Sequence, residues 1–159
     1  MVGVNTHLTN KIVLEALEEN SIKELKNLDN IKSEVKFGKN TRFDFLISKN
    51  NKKIFVEVKN VTLSRKKGVA EFPDAVTARG LKHINELINA SKRGFETYLL
   101  FLIQRNDCNQ FKIAQDIDPD YYKLLTEAAK KKLNIICYDC KFSSKGIKLN
   151  KNIKFKLNE

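Results

Sequence analysis

Apolar residues recur at helical spacing near the start of the chain: Ile12, Val13, Ala16 and Leu17 follow Thr9 and Asn10, which read as a helix cap, and the run stops at Asn20. A second short helix is expected over Ile22 to Leu28. From Ile31 to Phe37 the pattern changes to alternation, with Ile31, Val35 and Phe37 on one face and Lys32, Glu34 and Lys36 on the other. That is the pattern of a half-buried strand. Two more strands, Arg42 to Ile47 and Ile54 to Lys59, are joined by the polar turn Ser48 to Lys53, so an antiparallel meander is predicted.

A loop rich in Gly and basic residues, Ser64 to Gly68, leads to Phe72-Pro73-Asp74. Ala75 to Ser91 then reads as a helix with Leu81, Ile84, Leu87 and Ile88 on its inner stripe, its first turns weakened by Gly80. Thr97 to Ile103 is apolar on both faces, as in a central strand covered by helices on either side, and the helix before it makes a parallel neighbour the expectation. Asp118-Pro119 is an N-cap followed by proline at the first helical position, opening a helix to about Leu133. A strand over Asn134 to Tyr138 follows. A closing hairpin is then predicted, with Gly146 to Leu149 and Ile153 to Leu157 paired around Asn150-Lys151-Asn152.

This order predicts an α/β fold, a mixed sheet with αβββαβ connectivity flanked by helices. It is the restriction-endonuclease-like (PD-(D/E)XK) core, with a C-terminal hairpin added. Its chemistry would sit at Asp44 and Glu57-Val58-Lys59. Side chains two apart on a strand share a face, so Glu57 and Lys59 point together, and antiparallel pairing brings Asp44 beside Glu57. Two carboxylates offer the hard oxygens that suit Mg²⁺ or Mn²⁺, with the Val58 carbonyl as a further ligand, and such an ion activates water toward a phosphodiester. Lys59 would orient that water or balance phosphate charge. The same tripeptide on any half-exposed strand is equally a same-face ion pair, so it is the strand order that favours a site.

Length fits a single domain over residues 1–159. Thirty Lys and Arg against nineteen Asp and Glu give a net charge of +11, which points to a polyanionic partner, nucleic acid before a membrane surface. Lysine and asparagine are abundant throughout, as in a chain encoded by AT-rich DNA, but codon bias does not remove acids. The longest apolar run, Tyr98 to Ile103, is too short to cross a bilayer. Met1 to His7 has neither the basic start nor the apolar stretch of an export signal, so a cytoplasmic location is expected. Cys108, Cys137 and Cys140 are odd in number and lack a second metal-ligand pair, and they read as buried structural thiols.

Several segments go beyond a general motif. Val2-Gly3-Val4-Asn5-Thr6, Thr41 to Leu46, Val56 to Leu63, Phe72 to His83 with its Phe-Pro-Asp-Ala…Arg-Gly-x-Lys-His run, and Asp116 to Pro119 resemble, in the same order, the sugar fermentation stimulation protein A family. The resemblance implies a nuclease-like domain that binds DNA, double-stranded before other forms, and acts in the expression of sugar-utilisation genes. Family members usually carry a small N-terminal β-barrel, and this chain begins where that barrel would end, as a shortened member or a fragment would.

Carried onto this sequence, the family's acidic cluster and lysine correspond to Asp44, Glu57 and Lys59, with Glu34 as a further acid. Arg42, on the strand face of Asp44, is expected to contact phosphate or to bridge to the acids. Arg79, Lys82 and His83 start the helix that leans over the site, and Arg65, Lys66 and Lys67 form a loop suited to backbone phosphates. DNA binding that reads no bases, a Mg²⁺- or Mn²⁺-dependent nuclease acting on DNA or RNA, and an accessory protein working through protein partners all stay open. So does the choice between monomer and homodimer.

Overall fold

The computed structural model describes residues 6–157. Its elements in chain order are α1 (Thr6–Glu18), β1 (Asn30–Phe37), β2 (Thr41–Lys49), β3 (Lys52–Val61), β4 (Leu63–Lys66), β5 (Val69–Phe72), α2 (Ala78–Lys92), β6 (Glu96–Ile103), β7 (Gln110–Ile113), α3 (Pro119–Lys130), β8 (Asn134–Ser143) and β9 (Gly146–Asn152). The main sheet runs β1-β2-β3-β6-β8-β9. β1, β2 and β3 form the expected antiparallel meander, and β6 lies parallel to both β3 and β8. The αβββαβ core read from the sequence is therefore present.

The sheet separates two apolar layers. On one side α1 packs Ile12, Val13, Ala16 and Leu17 against Val56, Val58, Leu100, Leu102 and Tyr138. On the other, α2 and α3 cover Phe55, Leu99, Phe101 and Ile103, with the small sheet β4-β5-β7 beside them. Among the described residues no helix is long and apolar enough to cross a membrane.

Several expectations are corrected. Residues 22–28 form turns instead of a helix, although Ile22 and Leu25 are buried. Asn20 and Asn27 both take left-handed φ, and the Asn20 side chain accepts from the Asn27 amide, offering the backbone an alternative to helix. α1 begins at Thr6, which places Thr9 and Asn10 inside the helix. The basic loop is the β4–β5 hairpin, turning at Gly68 with φ 81°, and its third strand β7 was not predicted. The C-terminal hairpin is displaced: β9 continues through Asn150-Lys151, with a bulge there, and pairs antiparallel with β8, and among the described residues no strand follows.

α2 starts three residues later than the apolar pattern suggests because Thr77 caps it, accepting from the Gly80 amide at 2.8 Å. Asp118 fixes that start. One of its carboxylate oxygens accepts from the Thr77 amide at 2.9 Å and the other caps α3 at Tyr121, 3.1 Å away. Gly80 is where the two helices meet: a Cβ there would lie 2.7 Å from Thr77 Cγ2 and 2.9 Å from the Tyr121 ring.

The alternation predicted for the first strand breaks at Glu34. Ile31 joins the α1 layer, whereas Val35 and Phe37 join the α2 layer, and between them Glu34 takes φ 52°. β2 makes the same exchange: Phe45 and Ile47 face α1, but Phe43 faces α2. The paired strands keep register, Ser33 opposite Phe45 and Val35 opposite Phe43, so Glu34 and Asp44 mark the crossing together. Such local irregularities re-aim side chains next to functional sites.

Candidate metal and nucleic-acid site

The ladder between β2 and β3 ends at the Phe45–Val56 pair. Beyond it β2 stays with β1, β3 stays with β6, and carboxylates replace the missing backbone partners. The Asp44 amide donates to Glu57 Oε1 at 3.3 Å, and the Val58 amide donates to Asp44 Oδ2 at 2.7 Å. Asp44 and Glu57 are thus brought together as predicted, at the point where the strands part. The cavity this opens, about 650 Å³, is bordered by Asn10, Asp44, Glu57, Lys59, Asp74, Arg79 and His83 among others.

Phe55, Glu57 and Lys59 share a face, with Ile54, Val56 and Val58 behind it, as period two requires. Lys59 Nζ lies 3.6 Å from Glu57 Oε2 and 2.8 Å from His83 Nδ1, and that nitrogen is 2.5 Å from the same Glu57 oxygen. His83, buried on the inner side of α2, closes the cavity floor. Burial, then the neighbouring cations Lys59 and Arg79, push its imidazole down to about 4, so it is neutral at pH 7. Burial also lowers Lys59, against the opposing pull of Glu57 and Asp44.

Asp44 moves the other way. Burial and the adjacent Glu57 push its carboxyl up to about 7, although the Val58 amide and Asn10 favour the charged form. Two carboxyl groups held this close discourage joint ionisation, and a divalent cation would relieve that repulsion. Among the described residues no three His, Cys, Asp or Glu side chains are grouped to hold an ion. Two carboxylates with room for water and phosphate oxygens suit a hard cation such as Mg²⁺, Mn²⁺ or Ca²⁺, which keeps several non-protein ligands, and do not suit a closed zinc site.

The remaining predicted residues divide by position. Glu34 is exposed and borders the same cavity, level with Asp44 but outside any three-ligand group. Arg42 does not share the face of Asp44, because β2 changes face there. It lines an adjoining cleft of about 640 Å³ with Lys36, Lys39, Asn40, Arg79, Lys82 and His83. Lys82 also donates to the Asn40 carbonyl at 2.8 Å. Arg65 is taken up by Glu71 and Asp116, both engaged through two nitrogens at 2.7–2.9 Å. Lys66 and Lys67 lie on the exposed β4–β5 hairpin and border other clefts.

The family model described as the sugar fermentation stimulation protein RE domain matches residues 7–146. The chain belongs to this family. A sugar fermentation stimulation protein homolog of Pelagibacter ubique is 56% identical over 154 residues, covering 97% of this chain and 66% of that protein. Another, from Paramagnetospirillum magneticum, is 43% identical over 160 residues, 100% of this chain and 67% of its own length. The solved SfsA of Pyrococcus furiosus, in complex with Ca²⁺, superposes with a TM-score of 0.88 at 28% identity, over 96% of this chain and 66% of that one. The chain therefore spans about two-thirds of the length of the family members it matches.

Asn10 is the site residue that sequence reasoning missed. Read as a cap, it instead donates from α1 to Asp44 Oδ1 at 2.9 Å. Asp74, Asn60 and Thr62 also border the cavity without having been singled out. Nothing in their local pattern distinguishes them from turn and strand-end residues.

Proposed function

We propose that this domain binds the phosphate backbone of nucleic acid, duplex DNA first, without reading bases, and that in its family this binding serves the expression of sugar-utilisation genes. The observation that carries the reading is the cleft beside the carboxylates. Lys36, Lys39, Arg42, Arg79 and Lys82 converge there, and among the described residues no carboxylate lines it. Arg65 and Arg105 are engaged by acids, whereas Arg42 and Arg79 form no ion pair among the described residues. Like charges gathered in a concave wall repel unless an external polyanion neutralises them. The sole large apolar side chain exposed among the described residues is Val76, so the surface offers no aromatic platform for stacking single-stranded bases.

Fluorescence anisotropy with labelled duplexes tests this. Affinity should fall steeply between about 50 and 200 mM salt and be similar for unrelated sequences. Replacing Arg42 or Arg79 by alanine should lower the salt slope by about 1 each, with Arg65→Ala leaving it unchanged. Salt-insensitive binding would rule the reading out.

A second reading, metal-assisted phosphodiester cleavage of DNA or RNA, is favoured by Asp44, Glu57 and Lys59 meeting in one cavity that shares Arg79 and His83 with the lining of the cationic cleft. The Ca²⁺ complex of the Pyrococcus relative agrees with an ion-binding role for this fold. Asp44 and Glu57 would hold a hard divalent ion, which supplies phosphoryl polarisation and acidifies water. Lys59 stands beside both acids, ready to offset phosphate charge, and neutral His83 supplies a proton acceptor or donor at the floor. Plasmid, single-stranded DNA and RNA incubated with Mg²⁺ or Mn²⁺ should be nicked by the wild type and not by Asp44→Asn. Cleavage that survives the substitution would mark a contaminant.

A further inference from the structure

The second reading leaves a polar contact on α1 unexplained. Asn10 Nδ2 donates to one oxygen of Asp44 at 2.9 Å while the Val58 amide donates to the other at 2.7 Å. Each carboxylate oxygen carries two lone pairs, so one donor on each fixes the rotamer and leaves a lone pair on each oxygen for the cavity. An aspartate in place of Asn10 would repel Asp44 instead of holding it. The preceding residue anchors the helix that supplies Asn10. Gln104, wholly buried just past the end of β6, donates through Nε2 to Thr9 Oγ1 at 2.5 Å and to Asn60 Oδ1 at 2.7 Å. α1 is thereby tied to the C-terminal ends of β3 and β6, within reach of Asp44.

We infer that Asn10 is a positioning residue for the divalent cation: it orients Asp44 and so sets the affinity of the ion site, without itself being a ligand. The inference rests on the metal-assisted reading. Partners that orient metal ligands typically change ion affinity by about 10- to 100-fold when removed. Leucine has as many side-chain heavy atoms as asparagine, favours helix and cannot donate.

Calorimetric titration of Ca²⁺ and Mn²⁺ into the intact chain, with melting curves in chelator, tests the role. Asn10→Leu should weaken ion binding by about 10- to 100-fold while the ion-free melting temperature stays within about 2 °C and DNA affinity in chelator is unchanged. Thr9→Val, which removes one of the two acceptors of Gln104 Nε2, should do the reverse, lowering the ion-free melting temperature and leaving ion affinity within about threefold, since the Asp44 contact is kept. If Asn10→Leu fails to fold, Asn10→Ser, too short to reach Asp44, takes its place. Wild-type ion binding matched by the Asn10 variants would overturn the inference and leave the metal-assisted reading standing. Equal losses from Thr9→Val and Asn10→Leu would reduce Asn10 to a part of helix docking. A wild-type chain that binds neither ion at millimolar concentration would remove the reading and the inference together.

Discussion

Asp44 makes the fold sensitive to pH in a direction opposite to most carboxylates. Its carboxyl is pushed up to about 7, so the folded chain holds this proton more tightly than the unfolded chain does. Protonation therefore contributes stability that is fully present below the ordinary aspartate range and is lost as pH rises through about 7. In chelator, the melting temperature should fall between about pH 4 and pH 7, and Asp44→Asn should flatten that fall. Adding Ca²⁺ at the upper pH should restore stability to the wild type and not to the variant. A wild-type curve that rises over this interval would show that Asp44 ionises normally. At this scale the sequence revealed Asp44, Glu57 and Lys59, because strand period and antiparallel pairing alone bring them together. It could not reveal Asn10 or the His83 contact with Glu57, since both depend on how a helix docks onto the sheet.

Between elements, the tightest constraint lies where α2 meets α3. Gly80 has no left-handed conformation to justify it; what it provides is close approach, with Thr77 and the buried Tyr121 ring both inside 3 Å of a built Cβ. Gly80→Ala would ordinarily favour a helix, yet here it should destabilise by about 1–3 kcal/mol, because overpacking outweighs propensity. Urea denaturation with an unchanged m value is the measurement, and a stabilised variant would show that the helices yield freely. The long periodic elements were legible: the meander, α2, the central strand and the Asp-Pro start of α3. Short ones were not. A four-residue strand such as β4, β5 or β7 carries too few positions for a period to stand out. Asn150-Lys151-Asn152 resembles a turn by composition but is kept within β9, as a bulge, by its pairing with β8, where the Lys151 amide also donates to Asp139. Tertiary pairing overrode local preference there.

For the whole molecule, the charge surplus is distributed in a way composition could not reveal. Some cations are neutralised within the fold, as Arg65 is by Glu71 and Asp116, while Arg42 and Arg79 of the cleft by the carboxylates form no ion pair among the described residues. The crossing of β1 and β2 from one apolar layer to the other has a further consequence. Asp44 stands on the seam, with Phe45 anchored beneath α1 and Phe43 beneath α2, so its position depends on both layers being docked at once. Local openings cost less than global unfolding. A partial loosening of either layer, too small to register as loss of helix or sheet, would already scatter the carboxylates. On gentle heating or in dilute denaturant, ion binding should vanish first and the secondary structure afterwards, making ligand capacity a more sensitive gauge of intactness than circular dichroism.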